Sequence, residues 1–267
     1  MKLFENYLEI IVQQSSLDFS CYSKATIERR LTDLLAEERI VSPEEFRQKF
    51  TTDNMFHMKL LDGLTVRYTT MFRDPAFYAA LKQQVFPYLS TFNTIRILSA
   101  GCSTGEEAYS LAILLDECGL LENSEIIASD INPGNIQKAK RGTISPQRLR
   151  EYSLNYSAGG GQANMGRYYS NKEGAMVFSD RLKSRIKFFC QDITKEEEDG
   201  EFDLILCRNV MIYFTAKTQE SIIERFAGKL KNYGYFVHGI QEEFNHLSPT
   251  LYPIDKENRI YRKVCRL

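Results

Sequence analysis

The sequence predicts an α/β protein in which a small helical domain precedes a doubly wound, Rossmann-like parallel sheet. Two observations carry this prediction. Residues 1–74 repeat their apolar side chains at helical spacing throughout. Beyond residue 75, short apolar runs alternate with helical segments, the pattern of parallel strands joined by helical crossovers.

In the first domain, Leu3, Phe4, Tyr7, Leu8 and Ile11 share a helical face, as do Ile27, Leu31, Leu34 and Leu35. Ser42-Pro43-Glu44-Glu45 has the form of a capping box with proline at the first helical position, and Val41 and Phe46 are placed to staple it. Asp74-Pro75 opens a helix over 75–86 by the same logic. Residues 75–267 form the second domain. Its strands are expected at 95–100, 125–129, 186–190, 202–207 and 233–239, with helices at 104–118, 133–141 and 216–231. Residues 142–182 interrupt the alternation with Gly159-Gly160-Gly161 and several tyrosines. They read as an inserted, hairpin-like lobe with a flexible loop.

Charge and composition narrow the function. Thirty-four basic residues against 35 acidic ones leave a net charge of −1, which argues against a broad basic surface for nucleic acid. The six cysteines include no C-x-x-C pair and only three histidines accompany them, so no metal site is expected and the thiols read as core residues of a reduced, cytoplasmic protein. The first residues carry Glu5 and Glu9 within their apolar stretch, unlike a signal peptide, and no run reaches the ~18 apolar residues of a membrane span.

Ligands of doubly wound sheets bind beyond the carboxyl ends of the strands. After the first strand comes Gly101-Cys-Ser-Thr-Gly-Glu-Glu107, whose glycines permit a close backbone turn and whose Ser103 or Thr104 can cap the next helix. Two carboxylates stand where a dinucleotide fold would hold pyrophosphate, which favours a ligand with a cationic amino group and no phosphate. Asp130 ends the second strand, where a carboxylate accepts ribose hydroxyls or caps the Asn132-Pro133 helix. Asp192 and Ile193 follow the third strand and suit an adenine amine and ring face, although Asp after a strand is also ordinary turn chemistry. Arg208, Asn209 and Tyr213 follow the fourth. Acidic residues at three strand ends with an Asn at the fourth are harder to attribute to capping than any one alone.

GCSTGEEAYSLAILL, ASDINPGNIQKAKRG and FDLILCRNVMIYF resemble the three central blocks of the CheR chemotaxis receptor methyltransferases. TTMFRD at 69–74 is similar to their N-x-[TS]-x-F-[FY]-R segment, and Gly239-Ile-Gln-Glu242 to their final motif. The resemblance implies a helical N-terminal domain facing a receptor, a methyltransferase domain with an inserted β-subdomain, and S-adenosylmethionine as cofactor. It assigns Thr69, Arg73, Glu107, Asp130, Asp192, Ile193, Arg208 and Asn209 to the cofactor, with Glu107 the register choice within the Glu pair. It places Arg73 and Tyr213 at the methyl-accepting carboxylate. The implied reaction is esterification of glutamate side chains on the cytoplasmic helical bundle of a methyl-accepting receptor, releasing S-adenosylhomocysteine, by a monomer that inserts in no membrane. A basic face of Lys24, Arg29 and Arg30 would meet the acidic receptor.

Four departures from the family pattern stand out. Arg67 replaces an Asn and adds a cation near a cationic ligand, Tyr68 replaces an acidic or small residue, Met71 replaces an aromatic, and Gly239-Ile-Gln-Glu242 lacks a hydroxyl. Arg67 and the altered last motif favour the alternative of a CheR-like module that binds the cofactor or its product and regulates a non-chemotactic signalling complex. A nucleic-acid or small-molecule methyltransferase on the same fold is disfavoured, because no N-P-P-Y-type segment follows the fourth strand.

Overall fold

The computed structural model describes residues 2–14, 20–64, 69–172, 174–195, 200–244 and 247–264. Two compact units result, residues 1–67 with 213–219 and residues 68–212 with 220–267.

The first unit is built from α1 (Lys2–Gln14), α2 (Lys24–Glu37), α3 (Pro43–Thr52) and α4 (Asn54–Leu64). Their apolar faces meet in one core, in which Tyr7 packs edge-on to Phe46 at 5.3 Å and Phe46 to Phe56 at 5.4 Å. Ser42 Oγ accepts from the Glu45 N–H at 3.1 Å, as a capping box requires, but the Glu45 carboxylate reaches back to the Val41 N–H at 3.0 Å. The staple does not form: Phe46 is buried while Val41 is 84% exposed. Of the expected basic face of Lys24, Arg29 and Arg30, two members are engaged within the unit. Lys24 pairs with Glu5 at 3.1 Å, and Arg30 donates to the Leu64 carbonyl at 2.6 Å while lying over the Tyr213 ring at 4.6 Å. The carbonyls ending α4 lack intrahelical partners, and a guanidinium supplies one.

The second unit begins with α5 (Pro75–Ala80), a π-helical turn at Leu81–Val85 and α6 (Phe86–Leu89). The expected single helix is divided because Pro87 cannot donate the bond that would continue it, and the widened turn absorbs the mismatch. Next come β1 (Ile95–Ala100), α7 (Glu106–Glu117), β2 (Ser124–Asp130) and α8 (Pro133–Arg141). A small antiparallel sheet ordered β3-β5-β4 follows, made of β3 (Thr143–Ile144), β4 (Tyr169–Lys172) and β5 (Ala175–Phe178), with α9 (Leu149–Ala158) between its first two strands. After α10 (Asp180–Lys183), β6 (Ile186–Cys190), β7 (Phe202–Cys207), α11 (Ala216–Lys229) and β8 (Leu230–His238) complete the parallel part of the main sheet.

That sheet has the order β6-β2-β1-β7-β8-β10-β9, parallel as far as β8. Its last two strands, β9 (Leu251–Asp255) and β10 (Ile260–Lys263), are an antiparallel hairpin that the sequence pattern did not disclose. Every residue of β7 is buried, as a central strand covered on both faces requires.

The inserted segment differs from the expected flexible loop. Gly159 and Gly161 donate their N–H groups to Asn155 and Tyr156 carbonyls at 2.8 and 2.9 Å, closing the end of α9. A Cβ at Gly161 would lie 2.3 Å from the buried Tyr156 ring, so the backbone there is held against a side chain.

Candidate S-adenosylmethionine site

The turn leaving β1 is strapped to β2, because Gly101 and Cys102 both donate to the Ser129 carbonyl, at 2.7 and 2.8 Å. Gly101 has φ +78° and its missing Cβ would meet Val210 Cγ2 at 2.3 Å. The loop leaving β7 thus fits against the loop leaving β1, and only glycine permits that approach. Gly105, at φ +96°, is itself the N-cap of α7. Neither expected capping hydroxyl is used: Thr104 Oγ1 donates to Glu106 at 2.6 Å, and Ser103 Oγ has no partner among the described residues.

Asp130 lies at the centre of this cluster and is 9% exposed. One carboxylate oxygen accepts from the Ser103 N–H at 2.9 Å. The other accepts from the Asn132 N–H at 2.9 Å and Asn135 Nδ2 at 3.2 Å. Burial raises its pKa above the ordinary value, against these donors. Asp130 is not the cap of α8; Asn132 is, accepting from Gly134 and Asn135 N–H groups.

The two glutamates opening α7 diverge. Glu107 accepts from Ser99 Oγ at 2.8 Å and from Arg208 Nη1 at 3.3 Å. Glu106 accepts from Tyr152 OH at 3.2 Å, with Arg148 at 3.8 Å, and burial raises its pKa. Arg208 is almost wholly enclosed. Its guanidinium reaches Glu107, the Asp74 carboxylate at 2.8 Å and the Arg73 carbonyl at 3.4 Å, and lies over the Phe77 ring at 4.0 Å. Asp74, expected to cap α5, makes no capping bond and spends its carboxylate on Arg208.

The segment bearing Thr69 and Arg73 is suspended between helices. Arg148 donates to the Thr69 carbonyl at 2.7 Å, Asn155 to the Met71 carbonyl at 3.1 Å, and the Phe72 N–H to Ser110 Oγ at 2.9 Å. Phe72 and Asp74 both hold positive φ, 52° and 56°, so Arg73 is presented from a backbone of unusual conformation. Arg67 and Tyr68 lie outside the described residues.

At β6, Asp192 Oδ1 accepts from the Thr194 N–H at 2.9 Å and hydroxyl at 2.7 Å, and Ile193 is buried. Asn209, at φ 61°, begins the turn after β7. That turn is pinned by Glu242, 1% exposed, whose Oε1 accepts from Val210 and Met211 N–H groups at 3.0 and 2.9 Å and whose Oε2 accepts from Gly239 N–H. Glu242 stands in the segment resembling the family's last motif, yet nothing in its local sequence identifies it as an anchor for residues 209–211. Tyr213 groups with the helical unit, under the Arg30 guanidinium.

The residues present fit S-adenosylmethionine. Acidic strand ends suit a ligand that carries cationic groups and no phosphate. Buried atoms beside Asp130, Ser103 Oγ and Gln191 Nε2, have no partner among the described residues, as expected where a polar ligand completes the site. Among the described residues no cluster of His, Cys, Asp and Glu is arranged to hold a metal, and no helix is long and apolar enough to cross a membrane.

A doubly wound sheet with acidic strand ends suits the class of S-adenosylmethionine-dependent methyltransferases, and a match to a SAM binding domain places the chain in it. Residues 67–260 match the SAM binding domain of CheR methyltransferases and residues 2–65 match their all-alpha domain, so the chain belongs to the CheR methyltransferase family. Cher3 of Pseudomonas putida is 37% identical, covering 96% of this chain and 94% of its own. Chemotaxis protein methyltransferase 1 of Pseudomonas aeruginosa is 32% identical over 83% and 82%, and the chemotaxis protein methyltransferase of Listeria monocytogenes 25% over 96% and 94%. S-adenosylmethionine is the cofactor.

Proposed function

We propose that this chain methylates glutamate side chains of a chemotaxis-type receptor in the cytoplasm, giving glutamyl methyl esters and S-adenosylhomocysteine. The observation that carries the reading is the match, over most of the chain, to relatives named chemotaxis protein methyltransferases. The chemistry asks for positioning rather than proton transfer. A glutamate carboxylate is ionised near neutral pH, so no general base is needed. The cofactor supplies an activated methyl group on a sulfonium; holding and orienting fall to the protein. Asp130 takes the ribose hydroxyls, Glu107 the amino group, and Asp192 and Ile193 the base, with Thr69 and Asn209 completing the enclosure. Arg208 acts by fixing Glu107. Arg73 orients the acceptor carboxylate through paired hydrogen bonds, and the Tyr213 hydroxyl holds its reacting oxygen.

A regulatory module that binds the cofactor without turnover is the second reading. It is favoured by the engagement of Lys24 and Arg30 within the helical unit, Lys24 by Glu5 and Arg30 by the Leu64 carbonyl and the Tyr213 ring. Kinetics of Arg73→Ala and Tyr213→Phe separate the two. Catalysis predicts a fall in turnover of about one to several orders of magnitude for Arg73→Ala. Tyr213→Phe loses turnover with S-adenosylhomocysteine affinity unchanged. Turnover indistinguishable from wild type in both variants rejects these roles.

A further inference from the structure

Two residues beside Asp130 are anchored to it by their own backbone and left with unpaired, buried side-chain atoms. The Ser103 N–H donates to the Asp130 carboxylate at 2.9 Å, and the Gln191 N–H donates to the Asp130 carbonyl at 3.0 Å. Ser103 Oγ and Gln191 Nε2 have no hydrogen-bond partner among the described residues, although the residues are 7% and 9% exposed. Buried amides in native proteins are nearly always paired, so an unpaired one at a ligand site marks a contact that the ligand makes.

The neighbouring acid is less free. Asp192 Oδ1 is filled by the Thr194 N–H and hydroxyl, and Oδ2 lies 3.9 Å from Lys195. At this strand end, beside Asp192, the Gln191 carboxamide is a buried side chain with an unpaired donor among the described residues. A carboxamide presents a donor and an acceptor side by side, matching the exocyclic amine and adjacent ring nitrogen of adenine.

We propose that Gln191 hydrogen-bonds the adenine base of the cofactor, its carboxamide pairing with the exocyclic amine and the adjacent ring nitrogen. The inference rests on the reading that the cofactor lies at these strand ends with Asp130 on its ribose. It adds a residue of this chain to that site, with a role that a merely structural glutamine would not have.

Calorimetry of the full chain with S-adenosylhomocysteine and its analogue lacking the exocyclic amine, with purine in place of adenine, tests it. The analogue keeps the ring nitrogen but can make one hydrogen bond to a carboxamide where adenine makes two. Gln191→Leu should weaken the adenosyl ligand about tenfold, weaken the purine analogue less, and leave the apo melting temperature unchanged or raised because a buried unpaired amide is gone. Equal losses for both ligands, or unchanged affinity for the adenosyl ligand, would overturn the inference while leaving the site intact. A wild-type chain that binds neither ligand overturns the site and the inference together.

Discussion

Replacing Glu242 by glutamine exchanges a carboxylate oxygen for an amide nitrogen among backbone donors that include the N–H groups of Val210, Met211 and Gly239. If the remaining oxygen keeps Val210 and Met211, the new NH₂ group faces the Gly239 N–H, which is left unpaired. An orphaned buried N–H costs about 1–3 kcal/mol, and the two surviving bonds lose their charge assistance. Part of this is offset, because burial raises the Glu242 pKa and an amide needs no desolvation of charge. The net is about 2 kcal/mol, or roughly 4–8 °C in melting temperature for a unit of this size. Loosening the turn also releases Asn209 from its φ of 61°, so affinity for S-adenosylhomocysteine should fall several-fold. Thermal melts and calorimetry on the same protein give both numbers. A variant melting within a degree of wild type, with unchanged affinity, would refute the view that Glu242 positions the loop after β7.

Arg208→Met removes the guanidinium shared by Glu107 and Asp74, whose side chains are 14% and 33% exposed. Because both retain some access to water, the expected loss is about 2–3 kcal/mol rather than the 3–5 of a fully buried pair, and adding Glu107→Gln should recover part of it in a double-mutant cycle. His238 is 2% exposed, and burial among aromatic rings lowers its pKa from 6.5 to about 4. The unfolded chain therefore takes up a proton before the folded one, and stability falls as pH drops from 6.5 toward 4, by about 3 kcal/mol in total. His238→Phe should remove that part of the acid limb. The raised carboxyls of Asp130, Glu106 and Glu242 act with the opposite sign but are common to both proteins, so the difference between the two pH–stability curves isolates the imidazole.

Local pattern made much of this fold legible. Ile95–Ala100, Ile186–Cys190 and Phe202–Cys207 are short apolar runs bounded by turns, and they form strands over those same residues. Asn132-Pro133 and Gly142 bracket α8 with a cap at each end. By contrast, α9 buries only Tyr152 and Tyr156 and has Arg148 at its N-cap, so neither amphipathic stripe nor capping signal marks it. β9 is a short edge strand interrupted by Pro253, a sequence that reads as a loop. At the site, acids at strand ends were visible from position alone. Their partners were not: Arg208 stands 134 residues from Asp74 and 101 from Glu107, separations that only the sheet order closes. The engagement of Arg30 on α2 was hidden for the same reason, since the carbonyl and ring that occupy it come from distant segments.

Transfer of labelled methyl from S-adenosylmethionine to membranes bearing the cognate methyl-accepting receptor tests the central claim most directly. Glutamyl methyl esters are base-labile, so the label should be released as methanol on mild alkali and should map to glutamate side chains of the receptor's cytoplasmic bundle. Arg73→Ala should abolish most of that signal while the protein stays folded. A wild-type chain that binds S-adenosylhomocysteine yet places no base-labile methyl on any receptor glutamate would contradict the account and leave the regulatory reading in its place.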